Sequence, residues 1–246
     1  MYCKKNRPRI MKKLLLTFSL ALLSCAVFAQ VSAKEKQALL DLYVSTNGEK
    51  WINTWDINLP VAEWQGVSVI DNKVTGISLL FNNIQGTIPN SIGDLTNLRI
   101  LELAFNKLKG AIPTSIGNLT KLEVLSFNGN FLNGSIPASL GNLSEIKELH
   151  LSSNLLTGVM PTSLASLENL EVLNVFDNNL SGVLPSELAK HRNLRELVIA
   201  ENDFQGTEMF SAILLRNSGS QLDLSRPIIT PPAKSVIALE TSDDDN

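Results

Sequence analysis

Cysteine is nearly missing from this chain: its 246 residues include only Cys3 and Cys25, both within the first 29. Once that segment is removed no disulfide framework is available, and stability has to come from packing and hydrogen bonding. Histidine is as scarce, with His150 and His191 alone, so no zinc-like cluster can be assembled. There is no Gly-rich phosphate loop, and nothing calls for a cofactor or a metal. Aromatic residues make up 6% and charged residues 18%, but a hydrophobic content of 44% supports one sizeable core and excludes a mainly disordered chain. The one long apolar run, Leu14 to Ala29, is shorter than the roughly 20 residues of a spanning helix, which excludes a multi-span membrane protein.

That run has the parts of a secretory signal: Lys12-Lys13, the apolar stretch from Leu14 to Leu23, and Val27-Phe28-Ala29 before a cut. Residues 1–29 are therefore expected to be a signal peptide cleaved between Ala29 and Gln30, and Met11 begins a better-proportioned signal than Met1. The alternative is Leu22-Leu23-Ser24-Cys25, which resembles a bacterial lipobox. Lipidation at Cys25 would tether the protein to the outer membrane, although the apolar Ala26-Val27-Phe28 that follows is unlike a polar tether. Six of the 21 basic residues and none of the 24 acidic ones leave with the signal, so 15 against 24 gives a mature charge of −9. Nucleic acid is excluded as a natural partner. An exported chain without cysteine-stapled caps points to a bacterial source.

Self-similarity organises the rest. Val74, Leu98, Leu122, Ile146, Leu170 and Leu194 recur at strict 24-residue intervals, giving six repeats over residues 74–217. The ninth place of each holds Asn82, Asn106, Asn130, Asn154, Asn178 or Asn202, and the thirteenth is always glycine. Pro89, Pro113, Pro137, Pro161 and Pro185 fill the sixteenth place, where the last repeat has Met209. Alternation such as Leu101-x-Leu103 or Leu149-x-Leu151 is the pattern of a short strand with one buried face, and stacking such strands makes a parallel sheet. Where each strand turns into a loop, a buried asparagine can satisfy stranded backbone groups, which predicts a structural asparagine ladder.

The run from Leu98 to Pro113 and that from Leu170 to Pro185 resemble leucine-rich repeats of the plant-type subclass, in which Leu-x-Gly-x-Ile-Pro follows the asparagine and Ile116-Gly117-Asn118-Leu119 closes the coil. The resemblance implies an α/β solenoid: a right-handed leucine-rich-repeat superhelix with a parallel concave β-sheet and a mostly 3-10 or irregular convex side. It implies partners bound on the concave sheet, usually proteins or peptides, and it does not imply an enzyme. Residues 30–73 resemble a cysteine-free bacterial cap with a helix over Lys34 to Val44, and Trp51, Trp55 and Trp64 read as its core rather than a carbohydrate platform. Residues 218–246 read as a C-terminal cap and acidic tail.

Because strand side chains alternate, the register also sets out the concave face in columns. One is Ser78, Glu102, Ser126, His150, Asn174 and Val198; the next is Leu80, Ala104, Asn128, Ser152, Phe176 and Ala200; the loop-edge column is Phe81, Phe105, Gly129, Ser153, Asp177 and Glu201. Phe81 and Phe105 should lie side by side, and with Leu80 and Phe176 they would give a ligand an apolar track. The rings could equally fold over the loop edge and pack within the solenoid. Glu102, Asn128, His150, Asn174 and Asp177 would supply polar specificity. The expected ligand is a protein or peptide; an envelope glycan is the alternative. Ser126, His150 and Glu148 offer a nucleophile, a base and a carboxylate, but an open sheet supplies no oxyanion hole, so a hydrolytic enzyme is the weakest reading. The expected location is extracellular, secreted or at the cell surface.

Overall fold

Successive 24-residue coils wind through two sheets, parallel but for the first strand pair, and they begin from a helical cap. The computed structural model describes residues 30–188 and 191–207. The segment expected to be a signal peptide, Cys25, Met209 and the residues expected to form a C-terminal cap and tail lie outside the described residues.

Helix α1 (Ala33–Ser45) starts at a capping box: Ser32 Oγ accepts from the Glu35 amide while the Glu35 carboxylate reaches back to Ser32. The other oxygen of Glu35 accepts from the Val74 amide at 3.2 Å, so this buried acid also ties the helix to the first coil. Beyond the helix, Trp51, Trp55 and Trp64 are buried; Trp55 stacks on Trp64 and meets Trp51 edge to face, with Tyr43 against Trp51 and Trp55. Each indole N–H has a carbonyl: Thr46 for Trp51, Gln65 for Trp55 and Leu59 for Trp64. Large rings with satisfied polar edges cover the open end of the first coil.

The concave sheet comprises β1 (Val67–Ile70), β2 (Lys73–Ser78), β4 (Ile100–Glu102), β6 (Val124–Ser126), β8 (Glu148–His150), β10 (Val172–Asn174) and β12 (Glu196–Val198). The first pair is antiparallel and every later one parallel, with each residue opposite the one 24 further on, as in Leu101 against Leu125. The inward residues, among them Leu101, Leu103, Leu125, Phe127, Leu149 and Leu173, are fully buried. Each contributes about 1.5–3 kcal/mol of hydrophobic stabilisation.

A second sheet follows the asparagines. It is built from β3 (Gln85–Gly86), β5 (Lys107–Gly110), β7 (Phe131–Ser135), β9 (Leu155–Val159), β11 (Asn179–Val183) and β13 (Asp203–Gln205), all parallel. Here the register is 22, as in Asn133 opposite Leu155. Losing two residues relative to the concave sheet shifts successive coils by roughly 6–7 Å along the strand. Pro89, Pro113, Pro137 and Pro161 each then open a 3-10 turn, such as Thr114–Asn118 after Pro113. Gly117 lets that turn meet the next, since a Cβ there would stand 2.4 Å from the Ser139 carbonyl oxygen.

Candidate functional site

The asparagines that join the two sheets also set the edge of the concave face. All six are buried. Asn130 is typical: Oδ1 accepts from the Leu108 amide of the preceding coil at 3.0 Å, while Nδ2 donates to Leu103 of that coil and to Phe127 of its own. Asn106, Asn154, Asn178 and Asn202 repeat these bonds. Asn82 turns instead to the cap, accepting from Asn53 N–H at 2.6 Å and donating to its carbonyl.

Immediately before each asparagine the chain enters the left-handed region. Phe81, Phe105, Gly129, Ser153, Asp177 and Glu201 have φ of 52°, 56°, 67°, 51°, 54° and 55°. Glycine and short polar residues tolerate this conformation, whereas a bulky ring there costs about 1–2 kcal/mol. Phe81 and Phe105 accept that strain and are also 63% and 48% exposed. Their rings stack with centroids 4.5 Å apart and planes 5° from parallel. They do not pack inside the solenoid. Leu80, 41% exposed, precedes the pair on the same edge.

The remaining columns are less open than their alternation suggests. Ala104 and Ala200 are buried and Phe176 half-buried. Glu102 accepts from Ser78 Oγ at 2.7 Å. Asn174 Oδ1 accepts from the Phe176 amide at 3.1 Å, which turns part of its polarity inward. Asp177 is exposed. Ile100, 41% exposed at the start of β4, adds an apolar group that the column reading omitted. Its signal was present, since it stands two residues before Glu102 on the same strand face.

Ser126 and His150 are opposite one another in register, yet they do not join. Ser126 is only 8% exposed and its hydroxyl donates to Asn128 Oδ1 at 2.6 Å. His150 Nε2 instead lies 3.1 Å from Glu148 Oε2. A nucleophile turned away from its base, on an open sheet, has no route to acyl transfer. His191 is half-buried with Nε2 against the Leu167 carbonyl.

Along the outer flank of the strands, charge alternates from coil to coil as Arg99, Glu123, Lys147, Glu171 and Arg195. Arg99 and Lys147 both reach Glu123, the latter at 3.0 Å, and Arg195 approaches Glu171 at 3.9 Å. Lys147 and then Arg99 hold the Glu123 carboxyl below the usual carboxylate range, and Glu123 raises Lys147 in return. Three cations thus share two carboxylates along this flank.

A family model described as "Leucine-rich repeat region" matches residues 59–218. A probable leucine-rich repeat receptor-like protein kinase of Arabidopsis thaliana is 33% identical over 92 residues, which is 37% of this chain and 13% of that protein. The match thus spans about an eighth of that relative's length. Among solved structures, the plant peptide hormone receptor RGFR1 in complex with RGF2 is 41% identical, with a TM-score of 0.53, covering 55% of this chain and 22% of that one. A plant ice-binding protein is 26% identical, with a TM-score of 0.66, covering 71% and 58%.

Proposed function

The chain belongs to the leucine-rich repeat family, and on that footing we propose that it is an extracellular binding module taking an extended protein or peptide segment on its concave sheet. One observation carries the reading: Phe81 and Phe105 are exposed, stacked and held on left-handed backbone. Neither burial nor local conformation favours phenylalanine there, so the strain is retained for contact with something outside the chain. Leu80 extends the apolar anchor, and Phe176 offers part of a ring further along. Glu102, Asn128, His150, Asn174 and Asp177 provide polar groups between and beside them. The peptide-bound receptor among its structural neighbours supports the same use of the scaffold.

Export rests on the signal-like segment in residues 1–29, and the absence of cysteine from residue 30 onward supports a bacterial secreted form with a cysteine-free cap. Lipidation at Cys25 would place the same module on the outer membrane. A glycan is the alternative ligand, but sugars stack on open ring faces. Here Phe81 and Phe105 cover one face of each other, leaving mainly edges and a single outer face, which suits aliphatic and aromatic side chains better.

The test is selection from a phage-displayed library of random twelve-residue peptides on the purified protein. Selected peptides should bind the parent and lose at least tenfold in affinity on Phe81→Ala/Phe105→Ala, with the melting temperature within a few degrees. Peptides indifferent to both rings would defeat the reading. Protease-resistant capture of polysaccharide in place of any peptide would favour a glycan.

A further inference from the structure

The loop-edge column has a direction. From the first coil to the fifth it runs Phe81, Phe105, Gly129, Ser153, Asp177: two rings, two small residues, then a carboxylate, all on left-handed backbone. Gly129 and Ser153 form a low floor between the two ends, and the Phe105 ring lies across Gly129, where a Cβ would come within 2.7 Å of Phe105 Cδ1. Asp177 is exposed and makes no side-chain hydrogen bond or ion pair among the described residues.

The rest of the face repeats this asymmetry of charge. Beyond Lys73, exposed at the start of β2, the residues that alternate outward from its strands include Glu102, Glu148 and Glu196 and no lysine or arginine; the only titratable base among them is His150, beside Glu148. On the flank of the strands Arg99 and Lys147 are engaged by Glu123, and Arg195 stands near Glu171. A ligand on this face therefore meets an excess of carboxylates, of which Asp177, in the apolar anchor's own column, is left without a side-chain partner among the described residues.

From this we infer that the ligand is a basic extended peptide carrying an apolar side chain for the Phe81–Phe105 pair and a lysine or arginine four residues away for Asp177. The inference rests on the peptide-binding reading above. The spacing follows from geometry. Three coils separate Phe105 from Asp177, about 14 Å at ~4.8 Å per coil, and four residues of extended peptide rise about 13–14 Å. A shorter separation would leave the cation over Gly129 or Ser153, which offer it no charge.

The experiment selects the same phage library in parallel on the parent protein, on Asp177→Asn and on Asp177→Lys. Asparagine tolerates the left-handed backbone, so Asp177→Asn keeps the fold while removing the charge. Parent-selected peptides should share an aromatic or aliphatic residue with Lys or Arg four positions away. Asp177→Asn should lose the basic preference and keep the apolar one, and Asp177→Lys should replace it with Asp or Glu. A parent-selected peptide should bind Asp177→Lys about tenfold more weakly. Peptides that depend on Phe81 and Phe105 but show no basic residue at that spacing, or the same one on all three proteins, overturn this inference and leave the binding site standing. Peptides insensitive to Phe81→Ala/Phe105→Ala overturn both.

Discussion

The ring of Phe105 rests on Gly129, the residue at the same place one coil later, so closely that a Cβ on Gly129 would intrude to 2.7 Å. Gly129 also has φ of 67°. Gly129→Ala should therefore be felt twice: about 1–2 kcal/mol for an L side chain on left-handed backbone, and a displaced Phe105. We expect the melting temperature to fall by about 2–4 °C per kcal/mol, and affinity for a selected peptide to fall with it. Calorimetry and titration of one purified variant check both.

Glycine at the ring positions should have the opposite signature. Phe81→Gly/Phe105→Gly removes two strained φ angles but also the ring stack, worth about 0.5–1.5 kcal/mol. Stability in denaturant should stay within about 1–2 kcal/mol of the parent while peptide binding disappears. A collapse of stability with these changes would make the pair structural.

The ladder is where stability concentrates. Asn130→Ala strips the buried Leu108 amide of its acceptor and the Leu103 and Phe127 carbonyls of a donor. The expected loss is about 3 kcal/mol in urea unfolding. Asn133→Ala, on an exposed position of the same coil, should change stability by less than about 0.5 kcal/mol.

Acid should weaken the flank in a definite direction. Because Lys147 and Arg99 lower the folded-state pKa of Glu123, the ionised carboxylate stabilises the fold above its unfolded-state value. That contribution is lost as pH falls through the lowered folded value. The acid side of the stability profile should thus be shallower in Glu123→Gln than in the parent, with the difference vanishing once both are below that range.

All three tryptophans belong to the cap, so their fluorescence reports that end alone, while circular dichroism reports the sheets. Asn82 joins the two through Asn53. The two signals should melt together in the parent and separate in Asn82→Ala, with fluorescence changing first.

The repeat made much of this visible in the sequence because its period equals the register of the concave sheet. Aligning residues 24 apart aligns true neighbours, which is why Phe81 could be set beside Phe105. The second sheet escaped for the same reason. Its partners are 22 apart, so no column of the alignment lines up Asn133 with Leu155, and the glycine and proline around it read as turns. Side-chain commitments were equally hidden. Alternation could place Ser126 opposite His150, but whether its hydroxyl turned to the histidine or to Asn128 depended on a rotamer. Ala104 is likewise buried although it alternates outward, and a period-two pattern carries no measure of burial.

The bonds accepted by the ladder's Oδ1 atoms all point the same way: each asparagine completes the coil before its own. Asn130 finishes Leu108, Asn154 finishes Leu132, and Asn178 finishes Leu156. On a ribosome adding about 5–20 residues per second, a coil emerges with its polar groups open and closes only when the next asparagine arrives, a repeat later and roughly 1–5 seconds on. The nascent chain therefore advances with one unfinished coil at its growing end, and a stalled ribosome would present that coil, with its unpaired backbone, to chaperones or to another nascent chain.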